Sequence, residues 1–343
     1  MSRRGLTLAI AGAGVVAALL VASLAPVPYV ALIPGPTLNT LGAAKGRPLI
    51  DIEGRRTFPA SGHLNMVTVS FIGGPGTDFD IFAALRAWLS PHEAVVPQSE
   101  IFPPGKSQQQ VLKQDTEQMV NSQQTATAAA LCQLGIKFRT VDTVARTIPG
   151  RPAAAKLRRG DVIAAVDGTL VSCRASAASL IRARAPGNPV RLTIVRGGRT
   201  RLAYLRTTSY QGQAIIGVQV LEGFTFPFKV KISTGNIGGP SAGLMFALAI
   251  IDKLTPGDLT AGRFIAGTGE IQADGTVRPI GGIQQKLAGA ASAGATVFLT
   301  PAANCADAAT AVPPGLRLVK VSNLSGAIAA LRALKRGDPV PSC

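Results

Sequence analysis

Two glycine-rich segments in the last third of the chain present a serine and then a lysine: Gly238-Gly239-Pro240-Ser241-Ala242-Gly243 and, further on, Gly281-Gly282-Ile283-Gln284-Gln285-Lys286. A serine hydroxyl is almost never ionised at neutral pH. It attacks a carbonyl only when a neighbouring base takes its proton and donors hold the oxyanion that forms. The chain has two histidines, His63 and His92, and neither lies near the serine in sequence. His92-Glu93 opens like the zinc-protease helix motif but lacks the second histidine, so no metal site is expected. A lysine serves as base once an apolar pocket disfavours its charged form. Lys286 has uncharged neighbours in Ile280, Ile283, Leu287 and Ala288, and no acidic residue falls between Asp274 and Asp307. The pair reads as a nucleophile and its general base.

The elements around them suit that chemistry. Val230-Lys231-Ile232 reads as a strand, and the glycine run leads into Ser241 to Ile251, a segment apolar nearly all round and so a buried helix. A serine at the start of such a helix lies beside unpaired backbone N–H groups and the positive end of the helix dipole. Those groups can form an oxyanion hole, although a serine in this place also serves as a plain helix cap.

The order of the motifs adds to this. Ser241 in Gly-Pro-Ser-Ala-Gly, the turn Gly267-Thr268-Gly269-Glu270-Ile271, then Pro279-Ile280-Gly281-Gly282 and Lys286 together resemble the proteolytic domain of Lon-type peptidases. The likeness continues through Ala288, Ala290, Ala291, Gly294, Pro301, Ala302 and Asn304 and covers roughly residues 210–335. The resemblance implies an α+β domain in which Ser241 is the nucleophile and Lys286 the general base. It also implies that Gly239 and Pro240 shape the serine turn and that Thr268 hydrogen-bonds and orients the lysine amine. Many Lon enzymes carry an acidic residue three positions before the serine, where this chain has Gly238. Cytosolic Lon enzymes couple proteolysis to an ATPase, but this sequence contains no Gly-x-x-x-x-Gly-Lys-Ser/Thr loop, so neither ATP nor any other cofactor is expected.

Upstream, residues 134–206 read as short strands with two helices. Leu134-Gly135-Ile136-Lys137-Phe138 alternates as a strand does, and Pro189 to Arg196 alternates again before Gly197-Gly198 closes a hairpin. With Leu157-Arg158-Arg159-Gly160-Asp161-Val162-Ile163 and Asp167-Gly168, this stretch resembles a PDZ domain. PDZ domains hold extended peptides by strand addition, and the resemblance places the carboxylate-binding loop at Leu134-Gly135-Ile136.

At the start of the chain, Leu6 to Ala25 carries no charge and follows Arg3 and Arg4, which reads as a single transmembrane anchor with its N-terminus in the cytoplasm. Ser23-Leu24-Ala25 resembles a signal cleavage site, but Pro26 directly after it is expected to block the peptidase. Pro34-Gly35-Pro36-Thr37 reads as a rigid turn, and Met66 to Phe71 as a strand. Ser107 with Gln110 reads as the capping box of a helix through Met119 to Leu131.

Composition bounds the rest. At 47% hydrophobic and 15% charged the chain is a folded one. The formal charge is +17, with thirteen Lys and Arg between Arg146 and Arg206 against Asp161 and Asp167 alone. Nucleic acid is set aside as a partner because an anchor would export this domain. Anionic lipid or acidic peptide termini suit the bias better. Cys132, Cys173, Cys305 and Cys343 show no metal-binding spacing, and a Cys305–Cys343 bridge and free thiols are both open.

The expected organisation is a cytoplasmic N-terminus (1–5), an anchor (6–25), a region packing on the later domains (26–130), a PDZ domain (131–208), a Lon-type domain (210–335) and a tail (336–343). That order resembles the PDZ-containing Lon-like (YlbL-type) serine peptidases. The resemblance implies an ATP-independent extracytoplasmic endopeptidase on the cytoplasmic membrane, acting on polypeptides and assembling as a homo-oligomer, in the Lon manner a hexamer. A catalytically silent, anchored PDZ adaptor is the alternative.

Overall fold

A computed structural model describes residues 3–44, 46–77 and 79–343. The chain is α+β and is built on two separate sheets with separate cores.

The larger sheet has six strands. Arg317–Val321, Val297–Pro301, Phe264–Gly267 and His63–Gly73 run parallel in that order, and Tyr29–Asn39 and Ala94–Pro97 follow antiparallel. Residues 26–130, expected only to pack on the other domains, therefore supply three strands to the sheet that carries the Lon-type motifs. Pro34-Gly35-Pro36-Thr37 is a bulge rather than a turn, because the Tyr29–Asn39 strand runs straight through it with a register shift between Pro34 and Thr37. Proline has no N–H to donate to a ladder, and a bulge is where a strand accommodates it.

Against this sheet lies the helix Gly243–Leu254, in which Leu244 to Ile251 are all at most 2% exposed. Burying each large side chain of this kind is worth roughly 1.5–3 kcal/mol, so the helix is the mechanical centre of its domain. Beside it runs Gln108–Gln133, started by the capping box of Ser107 and Gln110. The helix Ile283–Ser292 contacts the Tyr29–Asn39 and His63–Gly73 strands.

The second sheet is antiparallel, in the order Arg199–Arg206, Pro189–Arg196, Val162–Val166, Arg139–Thr147 and Val218–Thr225. Its most specific sequence element has a clear physical reason. Gly160 turns the chain with φ +87, and the buried Asp161 accepts from the Arg158 N–H and grips Arg196 through both carboxylate oxygens at 2.7 Å. Arg196 holds the Asp161 carboxyl below its usual range. Leu134-Gly135-Ile136 is not strand. Leu134 caps the long helix, Gly135 takes φ +68, and Ile136 N–H returns to the Leu131 carbonyl, the geometry of a helix C-terminus.

The anchor is not supported. A helix does span Arg3–Leu24, but among the described residues no helix is long and apolar enough to cross a membrane. The stretch is uncharged, but nine of the twenty residues from Leu6 to Ala25 are Ala or Gly, and small residues contribute little transfer energy. The single-pass topology and the cytoplasmic-membrane localisation that rested on it are therefore not supported.

All four cysteines are paired. Cys132–Cys173 ties the end of the long helix to the smaller sheet domain, and Cys305–Cys343 fastens the C-terminal tail. Loops of 41 and 38 residues give each bridge an expected stabilisation of about 2–4 kcal/mol. Intact-mass analysis after alkylation without reductant should find no free thiol, and Cys305→Ser/Cys343→Ser should lower the unfolding free energy by about that amount; an unchanged denaturation midpoint would contradict the pairing.

Candidate active site

The serine turn is held from two sides. On one side the long helix contributes the Asp115 carbonyl, which accepts from Gly239 N–H at 2.9 Å, and Ser122 Oγ, which donates to the Pro240 carbonyl at 3.0 Å. On the other, Gly269 N–H and Thr268 Oγ1 both donate to the Ser241 carbonyl, at 2.7 and 3.0 Å. Gly239 turns the chain with φ +83. Gly243 lets the helix start close to its neighbour, since a Cβ there would lie 2.9 Å from Ile271 Cγ2. The N–H groups of Ser241 and Ala242 have no partner among the described residues, and they sit at the N-terminal end of the Gly243–Leu254 helix. They are available to an oxyanion.

Lys286 lies one turn into the helix Ile283–Ser292, which begins at Gly282 with φ +66. The loop leading to it is clamped by Asn304, whose side chain accepts from Ile280 N–H and donates to the Ile280 carbonyl, both at 2.9 Å. The lysine is 3% exposed, and no carboxylate reaches its Nζ among the described residues. Burial alone lowers it from 10.5 to about 7. Its one hydrogen bond is to Thr268 Oγ1, at 3.1 Å. Because the Thr268 hydroxyl gives its single proton to the Ser241 carbonyl, it can only accept from the lysine. A neutral amine held this way keeps its lone pair free.

Ser241 and Lys286 line one cavity of about 730 Å³. Its wall includes Thr68 to Phe71 of the His63–Gly73 strand. That strand pairs with Tyr29–Asn39 along one edge, but its parallel pairing with Phe264–Gly267 ends at Met66. The edge beyond Met66 is free to take an extended chain. At Gly238 a Cβ would lie 2.6 Å from Asp115 Cβ, so the long helix leaves no room for a side chain there and places Asp115 beside it. Asp115 lines the cavity, and burial pushes its carboxyl up. Nothing in the local sequence around Asp115 marks it, since it reaches the cavity through a tertiary contact. His63 stacks on Phe264 at 4.5 Å between ring centres, and neither His63 nor His92 lines this cavity.

Leu134-Gly135-Ile136 stands apart from Ser241 and Lys286, with Gly135 and Ile136 lining a cavity of about 380 Å³ beside Cys132 and Cys173. A different groove of about 370 Å³ lies between the Ala177–Arg182 helix and the Val218–Thr225 strand, with Ile216 and Gly217 at one end. It is built from segments far apart in the chain, so no local motif marks it.

Comparison with known proteins agrees with this architecture. Residues 224–331 match the Lon protease (S16) C-terminal proteolytic domain, and residues 132–207 match the PDZ domain. The chain is 40% identical over 104 residues to a Lon protease of Phenylobacterium zucineum, covering 29% of this chain and 13% of the relative. It is 46% identical over 108 residues to Lon protease 2 of Herpetosiphon aurantiacus, covering 31% and 12%. The chain thus spans only a small part of the length of the curated relatives it matches. Among solved structures, the PDZ domain of an SdrC-like protein from Listeria monocytogenes is 24% identical, covering 23% of this chain and 86% of that one with a TM-score of 0.21. The chain combines a PDZ domain with a Lon-type proteolytic domain, the latter a domain of serine-type peptidases.

The buried amine carries a stability consequence. The folded state holds Lys286 at about 7 and the unfolded chain near 10.5, so the unfolded state binds the extra proton between those values. Stability is therefore penalised by roughly 5 kcal/mol below pH 7, and the penalty fades as pH rises toward 10.5. Lys286→Met should unfold at higher temperature than wild type at pH 6, with the gap closing by pH 10. A gap that does not change with pH would show that the amine is not shifted.

Proposed function

We propose that the protein is an ATP-independent serine endopeptidase in which Ser241 attacks and Lys286 is the general base. One observation carries this reading: a lysine buried without a counter-charge, lowered to about 7, shares a cavity with the motif serine and is linked to it through Thr268. The neutral amine takes the Ser241 proton as Oγ adds to the peptide carbonyl. The Ser241 and Ala242 N–H groups receive the oxyanion. Lys286 then gives the proton to the leaving amine, which departs and leaves an acyl-enzyme. A water molecule, deprotonated by Lys286, adds to the ester, and collapse returns the proton to Ser241 Oγ. The substrate lies extended along the free edge beyond Met66. The absence of an ATPase loop from the sequence favours polypeptides that need no unfolding, and the PDZ domain recruits them. Likeness to Lon domains also motivates a homo-oligomer of hexameric order, measurable by light scattering. A silent adaptor is disfavoured, because a site without chemistry gains nothing from a buried unpaired lysine that lowers stability.

Ser241→Ala and Lys286→Ala should each lower kcat/KM on a short peptide by roughly 10⁴-fold, and the double variant should be no worse than either single one. A fluorophosphonate probe should label wild type and not Ser241→Ala. Activity near wild type in Ser241→Ala would end the proposal.

The pH profile supplies a second test. Protonated Lys286 cannot accept a proton, so kcat/KM should rise about tenfold per pH unit on the acid side and level off above about 7. Lys286→Arg should be inactive throughout, since a guanidinium does not lose its proton in this range. An active arginine variant would mean that the position supplies only positive charge.

A further inference from the structure

The groove of the PDZ domain carries charges that its fold does not use. Its outer wall is Val218–Thr225, an edge strand that among the described residues pairs only with Arg139–Thr147, so its other edge is open to an extended peptide. Arg182, the last residue of the Ala177–Arg182 helix, lines the groove and has no carboxylate partner among the described residues. Two further lining residues are Asp142 and Glu222, which stand directly opposite each other in the strand register.

Asp142 is 1% exposed. Its Oδ2 accepts from the Ala177 N–H at 2.8 Å, while its Oδ1 is buried with no partner at all. Burial pushes the Asp142 carboxyl up, while Glu222 stands exposed at the rim of the groove. Like charges facing each other across an antiparallel pair are destabilising, and a buried carboxylate oxygen without a donor costs more. One oxygen suffices to bond the start of the helix, so the second has no structural task. The surrounding segment holds thirteen Lys and Arg, yet none forms an ion pair with Asp142 or Glu222.

We propose that this groove binds extended peptides carrying a Lys or Arg side chain that is received between Asp142 and Glu222. The peptide adds to the open edge of Val218–Thr225, and its cation supplies the donor that Asp142 Oδ1 lacks. The basic surface of the domain is thereby separated from the preference of its groove: the surface repels cations in general, while the groove selects one at a defined position. Five residues separate Gly217 from Glu222, about 16 Å of strand, so a chain end placed at Gly217 and Arg182 puts the selected side chain several residues upstream. The proposal rests on the reading that the PDZ domain recruits polypeptide substrates, and it names their class.

The test is fluorescence polarisation with the full chain carrying Ser241→Ala, so that binding is read without cleavage. The probes are fluorescein-labelled alanine-rich octapeptides in which Lys, norleucine or Glu is scanned along the sequence. At one position, Lys should bind roughly 10-fold more tightly than norleucine and more tightly still than Glu. Glu222→Gln should weaken that preference and Glu222→Lys should reverse it, with Asp142→Asn, which keeps an acceptor for Ala177, as the second variant. Equal affinities for the three residues at every position, no binding of any peptide, or a preference unchanged in both Glu222 variants would overturn the proposal. Fluorophosphonate labelling of Ser241 in the Glu222→Gln chain reports separately on the dyad, so failure of the protease reading is distinguishable from failure of this one.

Discussion

A lysine amine held out of water with no carboxylate beside it is the constraint around which the proteolytic domain is arranged. Left in solvent, Lys286 would be protonated at neutral pH and unable to accept a proton; enclosed at 3% exposure, it is lowered to about 7. Such a group destabilises the fold, so the surrounding structure must over-determine its position. It does so with Asn304 clamping the approach loop and with Thr268, 0% exposed, accepting from the amine. Because the same threonine donates to the Ser241 carbonyl, Lys286 and Ser241 are referenced to one hydroxyl.

The serine side is equally dependent on contacts from elsewhere. The Gly243–Leu254 helix is buried almost completely, which fixes where its N-terminal N–H groups point. The long helix Gln108–Gln133 then holds the turn through Asp115 and Ser122 and leaves no room for a side chain at Gly238. The early strands complete the cavity wall. Residues far upstream of the motifs are thus structural members of the site, and the Cys132–Cys173 bridge links the same long helix to the PDZ domain.

Much of this was legible in the chain because the chemistry is local in sequence. Ser241, Lys286 and Thr268 sit in short motifs whose glycines meet local steric demands, and the capping box at Ser107 announced its helix directly. The PDZ turn at Gly160-Asp161 was readable for the same reason, although its partner Arg196 was not. What escaped was tertiary. Asp115 gains meaning only when it faces Gly238, and the Pro34 to Thr37 bulge looks like a turn until the His63–Gly73 strand pairs across it. Leu134 to Phe138 alternates as a strand would, but a helix terminus imposes the same spacing of apolar residues when Gly135 turns the chain. The uncharged N-terminal run reads as an anchor in the sequence, whereas among the described residues no helix is long and apolar enough to cross a membrane.

Lys286 can serve as a base near neutrality only if burial lowers its amine this far. The direct measurement is the pKa of Lys286 itself, from a ¹³Cε-lysine NMR titration of the Ser241→Ala chain, with Lys286→Arg used to assign the resonance. The Lys286 resonance should titrate near 7, well below the range of a free lysine. A Lys286 resonance that titrates above 10 would contradict it.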